Sequence, residues 1–251
     1  MLFRSQEDDR SIDEAYRLAF SSARNYLYFE NQYFRNADLV MYLREVRRKL
    51  KAKGWKNDIY VFVVTNVPDG KGRITTYETM RALGRAERMP TLEKKNDGVE
   101  TNGDSASLRS RDLEGLNVHV CTLCCSGVEV TQPQAYATGG AGPMGFPAMA
   151  ISEPLMRTVY KDIYVHSKLL LVDDVYFTLG SANFNVRSME VDSELNIAMT
   201  SPILTQKWRK ELWTLHTGRG PKDDAAAEFD QWRLTMDRNG VAKNNGQDRK
   251  S

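Results

Sequence analysis

The run Asp58–Thr65, DIYVFVVT, carries apolar side chains at successive positions, so a strand formed there would be apolar on both faces. Such a strand must be covered on both sides, and the chain around it supplies the cover. In Ser11–Arg24, residues Ile12, Ala15, Tyr16, Ala19 and Phe20 recur at helical period, with Ser11 and Glu14 at capping-box spacing. Ala37–Lys53 predicts a second helix with a basic outer face, stopped at Gly54. The basic run Arg44–Lys53 reads as its solvated face, with contact to anionic headgroups as the alternative. Tyr26–Phe29, between the two helices, is short, aromatic and strand-like; Ile74–Met89 reads as helix and Leu116–Leu123 as strand. Helix and strand thus alternate, which predicts an α/β sandwich on a largely parallel or mixed sheet.

Further along, two strands are expected in Tyr164–Leu179 and another in Ser193–Met199. Helices are expected at Pro202–Leu215 and Asp223–Arg238, and a frayed polar tail from Asn239. Thr91–Leu113 is polar and reads as a mobile loop; Ser126–Pro154, rich in Gly, Pro and Ala, reads as a long surface loop. The division expected is a main domain over 1–217, carrying loops 91–113 and 126–154, then a C-terminal helix and tail over 218–251. Trp208, Trp213 and Trp232 fall on helical patterns and read as core. His119 and His216 read as structural or surface residues.

Composition removes several classes. Hydrophobic residues make up 41% and charged residues 27%, which excludes a collagen or a largely disordered chain. The net charge of +2 gives no bulk electrostatic case for nucleic acid. The three cysteines, Cys121, Cys124 and Cys125, cannot build a disulfide framework; the cluster resembles half a zinc site, but no partner pair completes it. The opening MLFRSQEDDR lacks the apolar run of a signal peptide, and the apolar runs are strand-sized, far below a membrane span. A chain made in the cytoplasm is the expectation, peripheral to a membrane or exported as an effector.

The chemistry lies in Tyr164–Glu194, YVHSKLLLVDDVYFTLGSANFNVRSMEVDSE. His166 and Lys168 are two apart on an apparent strand, hence on one face. Asp173-Asp174 separates two apolar runs and reads as a tight hairpin turn. The returning strand ends at Gly180-Ser181-Ala182-Asn183, with Ser181 and Asn183 again two apart. Gly180 leaves room for a close backbone or ligand approach. One hairpin thereby offers an imidazole, an ammonium, a hydroxyl and an amide. Lys168 and Asn183 suit non-bridging phosphate oxygens, with Ser181 a nearby donor and His166 at the bond change. Asp173 also fits a turn residue serving the fold, and Ser181 and Asn183 also fit a shaped hairpin exit. Glu30 and Gln32, ending the first strand, are candidates to line the site or to cap that strand.

The pattern His-x-Lys-x4-Asp-x6-Gly-Ser-x-Asn resembles the HKD signature of the phospholipase D superfamily. Arg187-Ser188-Met189 and Asp192-Ser193-Glu194 continue the likeness, and Ser11–Phe34, Pro68–Gly84 and Gly115–Leu123 are similar to the second half of two-motif phospholipases D. Among these the bacterial enzymes, with the antibacterial lipase effectors of type VI secretion, are the nearest in flavour. The resemblance implies a phospholipase D-like α/β/α sandwich lobe with a mixed central sheet, one of the two lobes of the family. It implies catalytic roles for His166, Lys168, Asp173 and Glu194, with Glu194 accepting a hydrogen bond from the catalytic histidine, and phosphate binding by Lys168, Ser181 and Asn183. It implies phospholipid hydrolysis through a phosphohistidine without metal or other cofactor.

One HKD is missing. Neither His119, followed by Val-Cys, nor His216, followed by Thr-Gly, begins a second motif. The expected partners are therefore phospholipid at a membrane surface and a complementary HKD lobe, from a separate chain or a homodimer mate, with no specific nucleic acid. Two alternatives stay open: a homodimeric single-HKD phosphodiesterase or nuclease, and a silent truncated lobe acting only in interaction.

Overall fold

The computed structural model describes residues 9–89, 92, 113, 115–130, 132, 134–141, 147–151, 153 and 156–244. Residues 1–123 with 164–235 form one compact unit, and residues 124–163 with 236–251 form another.

The first unit is built on a six-stranded mixed sheet. Its strands are β1 (Tyr26–Asn31), β3 (Ile59–Val64), β4 (Leu116–Cys121), β9 (Lys168–Val172), β10 (Tyr176–Gly180) and β12 (Asn196–Thr200), in the order β12-β10-β9-β1-β3-β4. β1, β3 and β4 run parallel; β9 lies antiparallel to β1, and β10 and β12 continue antiparallel. A small parallel pair, β2 (Phe34–Arg35) with β11 (Phe184–Asn185), lies apart from the main sheet, and the short helix α4 (Val186–Glu190) follows β11.

Alternation along the strands divides the core in two. Leu27 and Phe29 of β1, Val61 and Val63 of β3 and Leu170 of β9 pack with α1 (Ser11–Ser22), α2 (Ala37–Ala52) and α3 (Arg73–Ala82). Tyr26 and Tyr28, Phe62 and Val64, and Leu169 and Leu171 face the other way, onto Trp213 of α5 (Pro202–Thr217) and Trp232 of α6 (Ala225–Asn244). The result is the expected α/β/α sandwich with a mixed central sheet. Each large apolar side chain removed from water contributes roughly 1.5–3 kcal/mol. Trp213 and Trp232 are buried as anticipated, and Trp208 packs against Phe177. Trp232 ties the first part of α6 to this core.

Local chemistry moved several boundaries. Ser11 is the first residue of α1 rather than its cap; the cap position is Arg10, without a side-chain bond, and the Asp9 carboxylate accepts the Ser11 N–H at 2.9 Å. The α2 face is not wholly solvated. Arg44 and Arg47 turn inward, Arg44 donating to the Ala82 carbonyl and Arg47 to that of Asn57, while Arg48 and Lys49 pair with Glu45 outside. Carbonyls left over at neighbouring chain ends supply those acceptors, which residue type alone does not reveal. α3 stops at Ala82 because Gly84 takes a positive φ of +64°. Helix α6 runs to Asn244, well into the stretch read as tail.

The largest correction falls on Ser126–Pro154. In the second unit β5 (Cys124–Val130) pairs with β8 (Met156–Asp162), and β6 (Ala135–Ala141) with β7 (Pro147–Ile151), all antiparallel. Mutual pairing satisfies backbone groups that small residues leave bare, so strands form without an alternating apolar pattern. Most of the expected mobile loop Thr91–Leu113 lies outside the described residues. Among the described residues no helix is long and apolar enough to cross a membrane.

Candidate active site

The register gathers the motif at one end of the main sheet. Asn31, ending β1, stands opposite Lys168, which opens β9; Gly180, ending β10, stands opposite Asn196, which opens β12. His166 lies just ahead of β9 rather than on it. The His166 imidazole is exposed, whereas Lys168 is 5% exposed. The segment before β9 is held off the strand by Asn66, just past β3. Asn66 accepts the Val165 N–H at 2.7 Å and donates to the carbonyls of Val165 and Gln32.

Lys168 Nζ donates to Gln32 Oε1 at 2.8 Å and to the His166 carbonyl at 2.6 Å. Burial lowers its pKa, and the nearby charge of Glu194 only partly restores it. An ammonium has three N–H donors, and the third has no acceptor among the described residues. Gln32 is therefore drawn into the site, its Nε2 donating to the Tyr164 hydroxyl. Tyr164 in turn stacks on the His166 ring, with centroids 6.3 Å apart and planes inclined by 23°. Among the described residues the His166 imidazole makes no hydrogen bond.

Behind Gly180 the backbone of β12 comes very close. A Cβ there would lie 2.2 Å from both Asn196 Oδ1 and the Leu195 carbonyl. The glycine lets Ser181 exchange hydrogen bonds with Leu195, and lets Asn196 Oδ1 accept the Ala182 N–H at 3.1 Å. Glu194 holds two hydroxyls: Oε2 accepts from Ser181 Oγ at 2.6 Å and Oε1 from Ser188 Oγ at 2.8 Å. The expected hydrogen bond between Glu194 and His166 is not made; both oxygens face serine hydroxyls instead. Asn183 keeps a buried Oδ1 without a partner among the described residues.

Asp173 is not brought to this end. It sits in the turn closing the far end of the β9–β10 hairpin, about 15 Å along β9 from Lys168. Its carboxylate accepts three backbone N–H groups, from Arg24, Asn25 and Tyr26, at 2.6, 2.9 and 2.7 Å. Asp173 and Asp174 both take positive φ, 52° and 55°, and Val175 N–H donates to the Val172 carbonyl, the geometry of a type I′ turn. Asp173 therefore serves the fold.

Glu30 sits in a half-buried hydrogen-bond network with Ser167, Tyr28 and His216. Its Oε1 accepts from Ser167 Oγ at 2.5 Å, and its Oε2 accepts from the Tyr28 hydroxyl at 2.7 Å and lies 3.1 Å from His216 Nε2. Burial opposes its ionisation, but hydrogen bonds from His216, Ser167 and Tyr28 win and hold its pKa down at about 2. Sequence reasoning missed Asn66, Tyr164, Ser167 and His216. Asn66 and His216 sit 100 and 50 residues from the motif, and no spacing rule links them to it. His119 is structural as read, its ring 3.6 Å from that of Phe229. Cys121 is a thiol bonded to the Val63 carbonyl, and Cys124 and Cys125 stand as thiols on β5.

Comparison with known proteins decides the family. The family described as cardiolipin synthase, PLD-like domain, matches residues 148–216, the hairpin and its flanks. Phospholipase D alpha 2 of Brassica oleracea var. capitata is 30% identical over 209 residues, which cover 76% of this chain and 24% of the relative. The chain belongs to the phospholipase D superfamily. Phospholipase D alpha 1 of Zea mays is 27% identical over 240 residues, 84% of this chain and 28% of the relative. The chain thus spans about a quarter of the length of the curated relatives it matches. Among solved structures, the phospholipase D family member Nuc of Salmonella typhimurium is 15% identical with a TM-score of 0.39, covering 83% of this chain and 88% of Nuc.

Proposed function

We propose that this chain supplies one half of a phospholipase D-type active site, which hydrolyses the headgroup phosphodiester of a glycerophospholipid to phosphatidic acid and an alcohol. One observation carries the reading: the buried Lys168 ammonium, with an N–H to spare, lies beside an exposed imidazole without a hydrogen bond. Lys168 would neutralise a non-bridging phosphate oxygen, and the Asn183 amide, close in sequence to the sheet end, would take another.

In the reaction, one histidine nitrogen attacks phosphorus and the P–O bond to the alcohol breaks. A second histidine gives its proton to the departing alkoxide. Water, losing a proton to that second histidine, then displaces the first from phosphorus and leaves the phosphomonoester. His166 takes one of these roles. The other two histidines are engaged elsewhere, His119 against Phe229 and His216 at Glu30. The second imidazole must then come from outside these 251 residues, from a complementary lobe or from a second copy of this one.

A lipid substrate is favoured over nucleic acid by the near-zero net charge of +2. The β5–β8 ribbon adds support, with exposed Val128, Val130 and Met156, Val130 standing opposite Met156. The test is headgroup release from phosphatidylcholine or phosphatidylethanolamine vesicles, with sedimentation in parallel. A self-sufficient dimer should release headgroup and His166→Ala should abolish it. A monomer should be silent until a first-motif lobe is added. Release that survives His166→Ala overturns the assignment, and silence of a verified two-lobe assembly overturns the reading.

A further inference from the structure

We propose that Glu30 and His216 form a buried positioning pair that holds the loop bearing His166 from behind, through the Ser167 hydroxyl. The pair deepens the reading above, and rests on it only for the importance of His166.

The geometry assigns distinct duties to the two carboxylate oxygens. Oε1 receives Ser167 Oγ at 2.5 Å, and Ser167 is the residue between His166 and Lys168. Oε2 receives the Tyr28 hydroxyl and faces His216 Nε2 at 3.1 Å, in the last turn of α5. Both oxygen neighbours of His216 Nε2 are acceptors toward it: the carboxylate, and a phenol oxygen at 3.0 Å whose proton goes to Glu30. Nε2 must therefore carry hydrogen, which fixes the tautomer. The ring itself is wedged between Tyr28 and Trp232. On the loop side Ser167 is caught twice, because its carbonyl also accepts the Gln32 N–H at 3.0 Å.

A buried carboxylate with three donors does more than fill a core position. An apolar side chain of the same size would pack against Tyr28 and Trp232 without the desolvation cost. What the carboxylate adds is a rigid tie from the helix end, across β1, to the peptide between the two motif residues. Glu30 and His216 touch no reacting atom, so they are positioning residues rather than catalytic ones.

The experiment is NMR on the full chain, comparing Ser167→Ala, Glu30→Gln and His216→Phe with the parent. In the parent, His216 should show a slowly exchanging, downfield ring N–H. That signal should persist in Ser167→Ala and vanish in Glu30→Gln. The Gln32 amide should exchange about tenfold faster in Ser167→Ala and His216→Phe, with the amides of Val61 and Val63 unchanged. The His166 ring resonances should shift in all three variants, although none of the substituted side chains contacts that ring. Gln32 exchange within about twofold of the parent, together with unmoved His166 resonances, overturns the proposal. Should Glu30→Gln fail to fold, Ser167→Ala removes one half-buried hydroxyl and still decides it. None of these readouts needs turnover, so an inert chain can carry the tie, and an active chain indifferent to the variants keeps the activity and loses the tie.

Discussion

Gly180 and Asp173 show how the signature divides between chemistry and scaffolding. Gly180→Ala would push a methyl into the Leu195 carbonyl and the Asn196 Cα, backbone atoms that cannot swing aside. The substitution should cost about 1–3 kcal/mol and loosen Ser181, measured as a lowered Tm. Asp173→Ala should cost about 2–4 kcal/mol, because three backbone N–H groups lose one carboxylate. If Asp173 were catalytic, the loss would fall on turnover with stability intact. Glu30 makes an acid prediction. Its folded pKa, about 2, lies below the ordinary 4.5, so its contribution is complete above about pH 4.5 and is lost as pH falls toward 2. A drop of that size corresponds to on the order of 3 kcal/mol, which acid titration of unfolding should show and Glu30→Gln should remove.

At the scale of elements, the β9–β10 hairpin and its tight turn were legible because Asp173-Asp174 breaks two apolar runs; the type I′ geometry is seen only in the positive φ of both residues. The strand over Asp58–Thr65 and the helices around it were legible for the same reason: apolar periodicity is a local property. The ends of those elements, and the partners of the site, were not. Lys168 rests on Gln32, and Ser167 on Glu30, contacts made only once β1 lies against β9. The strands within Ser126–Pro154 gave no periodic signal, since Ala and Gly mark neither face. One pair shows how such long-range contacts hold elements together. Asp174 receives the Arg209 guanidinium through two bonds, at 2.6 and 2.7 Å, and also the Tyr26 hydroxyl. Arg209 is 2% exposed, so Asp174→Ala should cost about 3–5 kcal/mol in denaturant unfolding. Adding Arg209→Met should recover part of that loss.

For the molecule as a whole, Trp232 joins α6 to the sheet through Trp213 and Phe62. Trp232→Ala should destabilise the first unit by about 3–5 kcal/mol, read by thermal unfolding. The central position of β1 has a temporal consequence. One of its edges pairs with β3, about 30 residues downstream, but the other waits for β9, which follows some 110 residues after β3. At the roughly 5–20 residues per second of synthesis, that edge stays open for on the order of ten seconds while a half-built sheet sits at the ribosome. Tyr26, Tyr28, Phe62 and Val64 are bare through the same interval, since Trp213 and Trp232 emerge later still. Nascent chains arrested before Lys168 should therefore be protease-sensitive and chaperone-bound, and protection should arrive in one step once α5 and the start of α6 have cleared the exit tunnel.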